Sequence, residues 1–275
     1  MKKILLATVA VLGFASVASA ADLRPLPARP LVAPVFNWTS CYIGGYVGGA
    51  WSAENVRVHD VNGYNFNPPG TPPAVSTQLN PGVYDVWNYD LKSSFLGGGT
   101  LGCNWQPIGS PWVIGAEGEI GYLRLTASAL DFPLDPFQSI NSTVRVGDWY
   151  GMVTGRLGYA WDRALVYVKG GVAFVDVNAT VTDIAINPNF IAQTTESLAT
   201  WTAGGGIEWA FDWNWSVKAE YMFIGLDNVS ACGFSNIGGF GPGTYCWNHE
   251  LDGIHTAKIG LNYRFGGGPP LVARY

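Results

Sequence analysis

Charge is scarce in this chain: Asp, Glu, Lys and Arg make up 13% of its 275 residues, about half the usual share in a soluble domain. Only 3 histidines and 4 cysteines are present, which leaves little material for a histidine-based active site or a cysteine-rich metal centre. Acidic residues outnumber basic ones by 20 to 15, so the basic surface that nucleic acid requires is missing. Beyond residue 20 no run reaches the ~18 consecutive apolar residues of a membrane helix. These absences exclude a helical anchor and a nucleic-acid partner, and they argue against an ordinary hydrated surface.

Glycine and aromatic residues are in excess, with 36 Gly, 12 Trp and 13 Tyr. Trp and Tyr prefer the membrane–water boundary, so many of them beside few charges suit an outer surface that meets lipid. Disorder would account for the glycine but not for the aromatics. The clearest stretch is 201–227. There Trp201, Ala203, Ile207, Trp209 and Phe211 alternate with Thr202, Gly204, Gly206 and Glu208, and Val217, Ala219, Tyr221 and Phe223 alternate with Lys218 and Glu220. A period of two means strands with two different surroundings.

Residues 1–20 read as an export signal, with Lys2 and Lys3 before an apolar core at 4–17 and the small-residue site Ala18-Ser19-Ala20. Cleavage there starts the mature chain at Ala21. Residues 21–39, with Pro25, Pro27, Pro30 and Pro34, are expected to be an extended periplasmic linker.

Eight alternating segments follow, at 41–51, 91–105, 112–123, 149–160, 164–177, 199–211, 215–226 and 253–265. Each reaches the ~9 to 11 residues of a tilted membrane-spanning strand, and a closed bacterial barrel needs an even number. The expectation is an all-β fold: an eight-stranded antiparallel up-and-down transmembrane barrel over 40–265, with a flexible tail at 266–275. The connections 52–90, 126–148, 178–198 and 227–252 are long, whereas 106–111, 161–163 and 212–214 are tight. Outer-membrane barrels keep short turns in the periplasm and long loops outside, so both chain ends are expected in the periplasm.

Strand parity sends Glu117, Glu119, Arg156, Lys169, Glu208, Lys218, Glu220, Lys258 and Arg264 into the lumen. Mixed charges can pair across a narrow bore, where an isolated charge would be costly. A structural polar core is the preferred reading, and a small porin-like channel for ions or solutes is its competitor.

The four cysteines fit two disulfides in an exported chain. Cys41 and Cys103 fall at the periplasmic ends of neighbouring strands on one face, so a cross-strand bridge is expected there, although two free thiols would also satisfy the sequence. Cys232 and Cys246 share the last outer loop and would close a small ring. The long loops hold twelve acidic residues against Arg57 and Arg145. Solvation explains that acidic tier, and weak binding of divalent cations near lipopolysaccharide is the alternative. Neither a metal site nor a cofactor is expected. His59 and His249 lie in loops without a neighbouring serine pattern and His255 lies on the outward face, so no catalytic residues are assigned.

Several motifs in order give the chain a family likeness. They include Phe36-Asn37-Trp38-Thr39 followed by Cys41-Tyr42-Ile43-Gly44-Gly45, then Gly115-Ala116-Glu117-Gly118-Glu119-Ile120 and Gly155-Arg156-Leu157-Gly158-Tyr159-Ala160. Trp213-Asn214-Trp215-Ser216-Val217-Lys218-Ala219-Glu220-Tyr221 and Gly260-Leu261-Asn262-Tyr263-Arg264-Phe265 complete the set. In these the chain resembles the alphaproteobacterial Omp25/Omp31 outer membrane immunogenic proteins over nearly all its mature length. The resemblance implies an integral outer-membrane barrel, non-enzymatic, supporting the envelope and presenting surface loops, with a loop-mediated adhesin as a further alternative. It also implies a terminal strand read by the barrel-assembly machinery after delivery by periplasmic chaperones, with Leu261, Tyr263 and Phe265 as the outward signal. The commonest family pattern ends on its aromatic, whereas here 266–275 follow, so that Phe265 and Tyr275 are both candidates for the recognised end. Expected partners are outer-membrane lipid, lipopolysaccharide and host or surface contacts through the loops.

Overall fold

Alternation along 40–264 is satisfied by strands that turn one face into a closed ring and the other outward. The computed structural model describes residues 36–60, 65–66, 77–78, 87–130, 140–184, 189–235 and 243–266. The export signal at 1–20, most of the linker and the tail from 267 lie outside the described residues. The strands are β1 Ser40–Ser52, β2 Val56–Asp60, β3 Asn65–Phe66, β4 Thr77–Gln78, β5 Trp87–Tyr89, β6 Ser94–Trp105 and β7 Trp112–Leu130. They continue as β8 Ile140–Trp161, β9 Ala164–Asp183, β10 Ile191–Ala210, β11 Trp215–Gly225, β12 Val229–Ser235, β13 Gly243–Glu250 and β14 Gly253–Arg264.

Eight of these close into an antiparallel barrel in the order β1-β14-β11-β10-β9-β8-β7-β6. β14 seals the ring against β1, with Tyr42 opposite Arg264 and Ser52 opposite Ile254, so every strand has two partners and no backbone edge faces lipid. The β8–β9 connection holds only two residues between the paired Trp161 and Ala164. Asp162 adopts a φ of 51° there, a conformation that a short polar side chain tolerates.

Two aromatic girdles bound the apolar band on the barrel wall. Trp105, Trp112, Trp161, Trp209 and Trp215 are exposed near the short turns, and Trp51, Tyr122, Trp149, Trp201 and Tyr221 near the long loops. Between them β9 turns Val166, Val168, Val172 and Phe174 outward and Lys169 inward. Above the second girdle the polarity reverses along the same strand. Asp176, Asn178, Thr180 and Thr182 take the outward positions, while Val175, Val177, Ala179 and Val181 are buried inside.

This reversal corrects two of the expected loops. Residues 126–148 and 178–198 largely continue as strand, with β7 running to Leu130, β8 starting at Ile140, β9 ending at Asp183 and β10 starting at Ile191. The alternation persists there, but its apolar side faces the interior because the surroundings are water. A search for lipid-facing alternation stops at that boundary. Asp183, counted with the acidic loop tier, is buried.

The other two long connections fold over the barrel mouth as a four-stranded sheet of order β12-β13-β2-β5, termed the crown here. Its Val56, Val58, Tyr89 and Trp247 pack with Leu123, Leu125, Val144, Val146 and Ile254 of the barrel in one apolar core. A second correction concerns residues 36–39, which the sequence reading assigns to a linker. Phe36 and Trp38 instead pack into the short-turn mouth with Val113, Ala160, Leu165, Tyr167 and Ala210, where two large rings are removed from water.

Candidate functional site: the barrel lumen and the crown

The lumen is built in three layers. At the short-turn end Trp38 is fully buried. Its indole donates to the Asp162 carbonyl at 3.0 Å and its backbone N–H to Gln106 Oε1 at 2.8 Å. Arg264 lies over the rings of Phe36 and Trp38, 4.6 and 4.9 Å from their centroids, and donates to the Asn37 carbonyl at 2.7 Å.

The middle layer holds the other eight predicted lumen charges as one connected set. Glu117 accepts from Lys169 at 2.6 Å, from Lys218 at 3.1 Å and from the Tyr42 hydroxyl at 2.5 Å. Glu220 accepts from Lys169 and Tyr167 at 3.0 and 2.9 Å and forms an ion pair with Lys258 at 2.9 Å. Glu119 meets Lys258 at 2.5 Å and the Tyr150 hydroxyl at 2.7 Å. Glu208 pairs with Arg156 and accepts from Ser216 at 2.5 Å and Asn262 at 2.9 Å. Four carboxylates thus face four cations, each hydrogen-bonded, which is the condition under which buried charges are tolerated. Arg264 stands apart from this set, held by the plug below.

Sequence reasoning missed the tyrosines. Tyr42, Tyr46, Tyr150 and Tyr167 are buried among the charges, and the Arg156 guanidinium lies 3.5 Å from the centroid of the Tyr167 ring. Their inward parity was the available signal. Glu117, Glu119 and Glu220 bring carboxylate oxygens within 4.8 Å of one another, the kind of cluster that can hold a metal ion. Here the Lys169 ammonium occupies that position, within 4.0 Å of all three. The third layer is the aliphatic core beneath the crown.

Cys41 and Cys103 are cross-strand partners joined by a disulfide, as are Cys232 and Cys246 across β12 and β13 in the crown. Leu261, Tyr263 and Phe265 lie on the outward face, with the Tyr263 and Phe265 rings 5.5 Å apart. The strand ends one residue early, at Arg264, but the Phe265 N–H still donates to the Cys41 carbonyl at 2.8 Å.

His249 has a serine partner that the sequence does not disclose. Its Nε2 lies 2.9 Å from Ser142 Oγ, which also meets the Tyr89 hydroxyl at 3.1 Å. Both His249 and Ser142 are fully buried, so the pair braces the crown against β8 and offers a substrate no approach. Burial pushes the His249 imidazole down to about 4 and keeps it neutral.

The family model described as "Outer membrane protein beta-barrel domain" matches residues 7–265. The 31 kDa outer-membrane immunogenic protein of Brucella melitensis is 30% identical, over 96% of this chain and 100% of that protein. The 25 kDa outer-membrane immunogenic protein of Brucella abortus is 24% identical, over 96% of this chain and 99% of its own. Among solved structures, the attachment invasion locus protein Ail of Yersinia pestis aligns with 83% of this chain and 100% of its own, at 13% identity and a TM-score of 0.35.

Proposed function

The chain belongs to the outer membrane protein β-barrel domain family, and from that membership we propose that it is a sealed, non-enzymatic barrel that supports the envelope and presents its crown as a contact surface. The stacked lumen is the observation that carries this reading. An eight-stranded barrel has room for side chains and little more. Here that room is taken by the Phe36 and Trp38 plug, the paired charges and the aliphatic core. A conducting path needs an ion site weak enough to leave, and every lumen glutamate is already committed to a Lys or Arg.

In this reading residues 1–20 direct export and are removed before Ala21. Leu261, Tyr263 and Phe265 offer the assembly machinery its outward terminal signal, and the long-loop end carries the crown to the cell surface. Reconstitution of the mature chain in planar bilayers tests the sealed lumen. The expected result is a folded, electrically silent barrel. A steady conductance that disappears in Arg156→Gln or Glu208→Gln would turn the charges into a pathway and overturn it.

A further inference from the structure

Cations are unevenly placed at the long-loop end. Between Cys41 and Gly266 five of the lysines and arginines are buried in the lumen, and Arg163 belongs to a short turn. Only Arg57, Lys92, Arg124 and Arg145 remain for the region above the apolar band. Three of these four share one wall. The Lys92 N–H donates to the Thr126 carbonyl at 3.0 Å, Arg145 is the cross-strand partner of Thr126, and Arg124 lies two residues along β7.

A bulge in β8 completes the arrangement. Its register against β9 breaks between Val146 and Tyr150, where Gly147 and Asp148 take φ values of 101° and 93°. A Cβ at Gly147 would run into the Leu123 backbone, so that position demands glycine. The bulge sets the Asp148 carboxylate between the arginines, 3.6 Å from Arg124 Nε and 3.4 Å from Arg145 Nη1. One carboxylate thus orders two guanidiniums, each with five N–H donors, and three cations outnumber it. The arginine side chains are 50% and 35% exposed.

Directly below, Tyr122 and Trp149 are cross-strand partners with ring centroids 6.5 Å apart. Beneath Trp149 a mostly apolar groove of about 780 Å³ runs among Leu101, Ile120, Val153 and Phe174 over Gly118 and Gly151, with Asp176 and Ser197 also in its lining. A Cβ at Gly118 or Gly151 would meet only an ordinary contact, at 3.8 or 3.6 Å, so strand packing does not require those glycines and the groove floor is free.

Cations, an aromatic shelf and an apolar groove therefore succeed one another down one wall. We propose that this wall, from β6 through β7 and β8 to β9, binds a phosphorylated, acylated lipid of the outer leaflet, its phosphate held by Lys92, Arg124 and Arg145 and an acyl chain in the groove. Arginine pairs suit phosphate through bidentate, charge-assisted hydrogen bonds. The three cations face two carboxylates, Asp148 within their cluster and Asp176 at the rim of the groove, which already accepts from Ser197 at 2.6 Å, so these five groups keep one positive charge in excess for an anionic headgroup. The choice of leaflet rests on the reading that the long-loop end faces outward.

The test uses the mature chain folded in detergent, with bisphosphorylated lipid A and its dephosphorylated form as probes and native mass spectrometry as readout. The wild-type protein is expected to prefer the phosphorylated form at least tenfold. The Lys92→Gln, Arg124→Gln, Arg145→Gln triple variant should lose that preference, and Gly151→Phe should weaken both forms alike. Heat-modifiable migration reports folding. Lys92→Glu, a change at an exposed residue outside any strand, keeps the test open should the triple variant misfold. Equal binding of the two lipids by the wild type, or an undiminished preference in the variants, overturns the site. External labelling of Thr195→Cys in intact cells reads orientation separately. A chain that is not labelled but retains the phosphate preference overturns the outer-leaflet assignment alone.

Discussion

Lys169 on β9 places its Nζ 2.6 Å from the Glu117 carboxylate on β7, both side chains 1% exposed, although β8 stands between their strands. Lys218 reaches the same carboxylate from β11, on the far side of the ring. One glutamate therefore ties separated parts of the wall together through the bore.

Removing that glutamate should leave Lys169 and Lys218 as buried charges short of a partner. Glu117→Leu is expected to destabilise the folded barrel by about 3–5 kcal/mol, measured as a lowered urea midpoint for the heat-modifiable band. Adding Lys218→Met should recover part of the loss, because the two residues share one network. A single variant as stable as the wild type would show that the network is dispensable.

The reversal of polarity along the strands sets the limits of the apolar band. Val168, 61% exposed, lies in mid-wall on β9, whereas Thr195 lies above the second girdle on β10. Val168→Arg should cost about 2–4 kcal/mol of folding stability in lipid, and Thr195→Arg about 0–1 kcal/mol. Refolding titrations into vesicles compare them directly, and equal penalties would mean that the band has been placed wrongly.

His249 makes the crown sensitive to acid. Its folded value of about 4 is depressed from 6.5, so the folded state favours the neutral imidazole. The stabilisation is complete above about pH 6.5, declines as pH falls below that value and levels off near pH 4. At pH 5 the loss is on the order of 2 kcal/mol. The facing groups are Ser142 on β8, Tyr89 on β5 and His59 on β2, with Glu250 beside His59 at 3.6 Å. An NMR titration of the His249 ring should have its midpoint near 4, and a midpoint at the ordinary value would rule out the closed environment.

Strand number, the inward set of charges and the segregation of short and long connections were legible in the sequence because each follows from a period of two or from spacing along the chain. Trp201, Trp209 and Val217 declare their outward face by their neighbours alone. The extra length of β7 to β10 was also written as alternation, at Val175, Val177, Ala179 and Val181, but its polarity answers to water and it read as loop. The plug was obscured differently: Phe36 and Trp38 adjoin a proline-rich run, and nothing local says that the mouth of a barrel lies within reach.

By itself, then, the sequence determined the alternation, the apolar girth and the identities of the charges, since these depend only on which residues sit two apart. The tertiary structure decided which charges meet, that Ser142 backs His249 from 107 residues away, and that Asp148 stands between Arg124 and Arg145. Those contacts depend on register, barrel closure and a single bulge. A slip of one residue in any strand would turn its whole inward set outward, so the pairings exist only once all eight strands have closed.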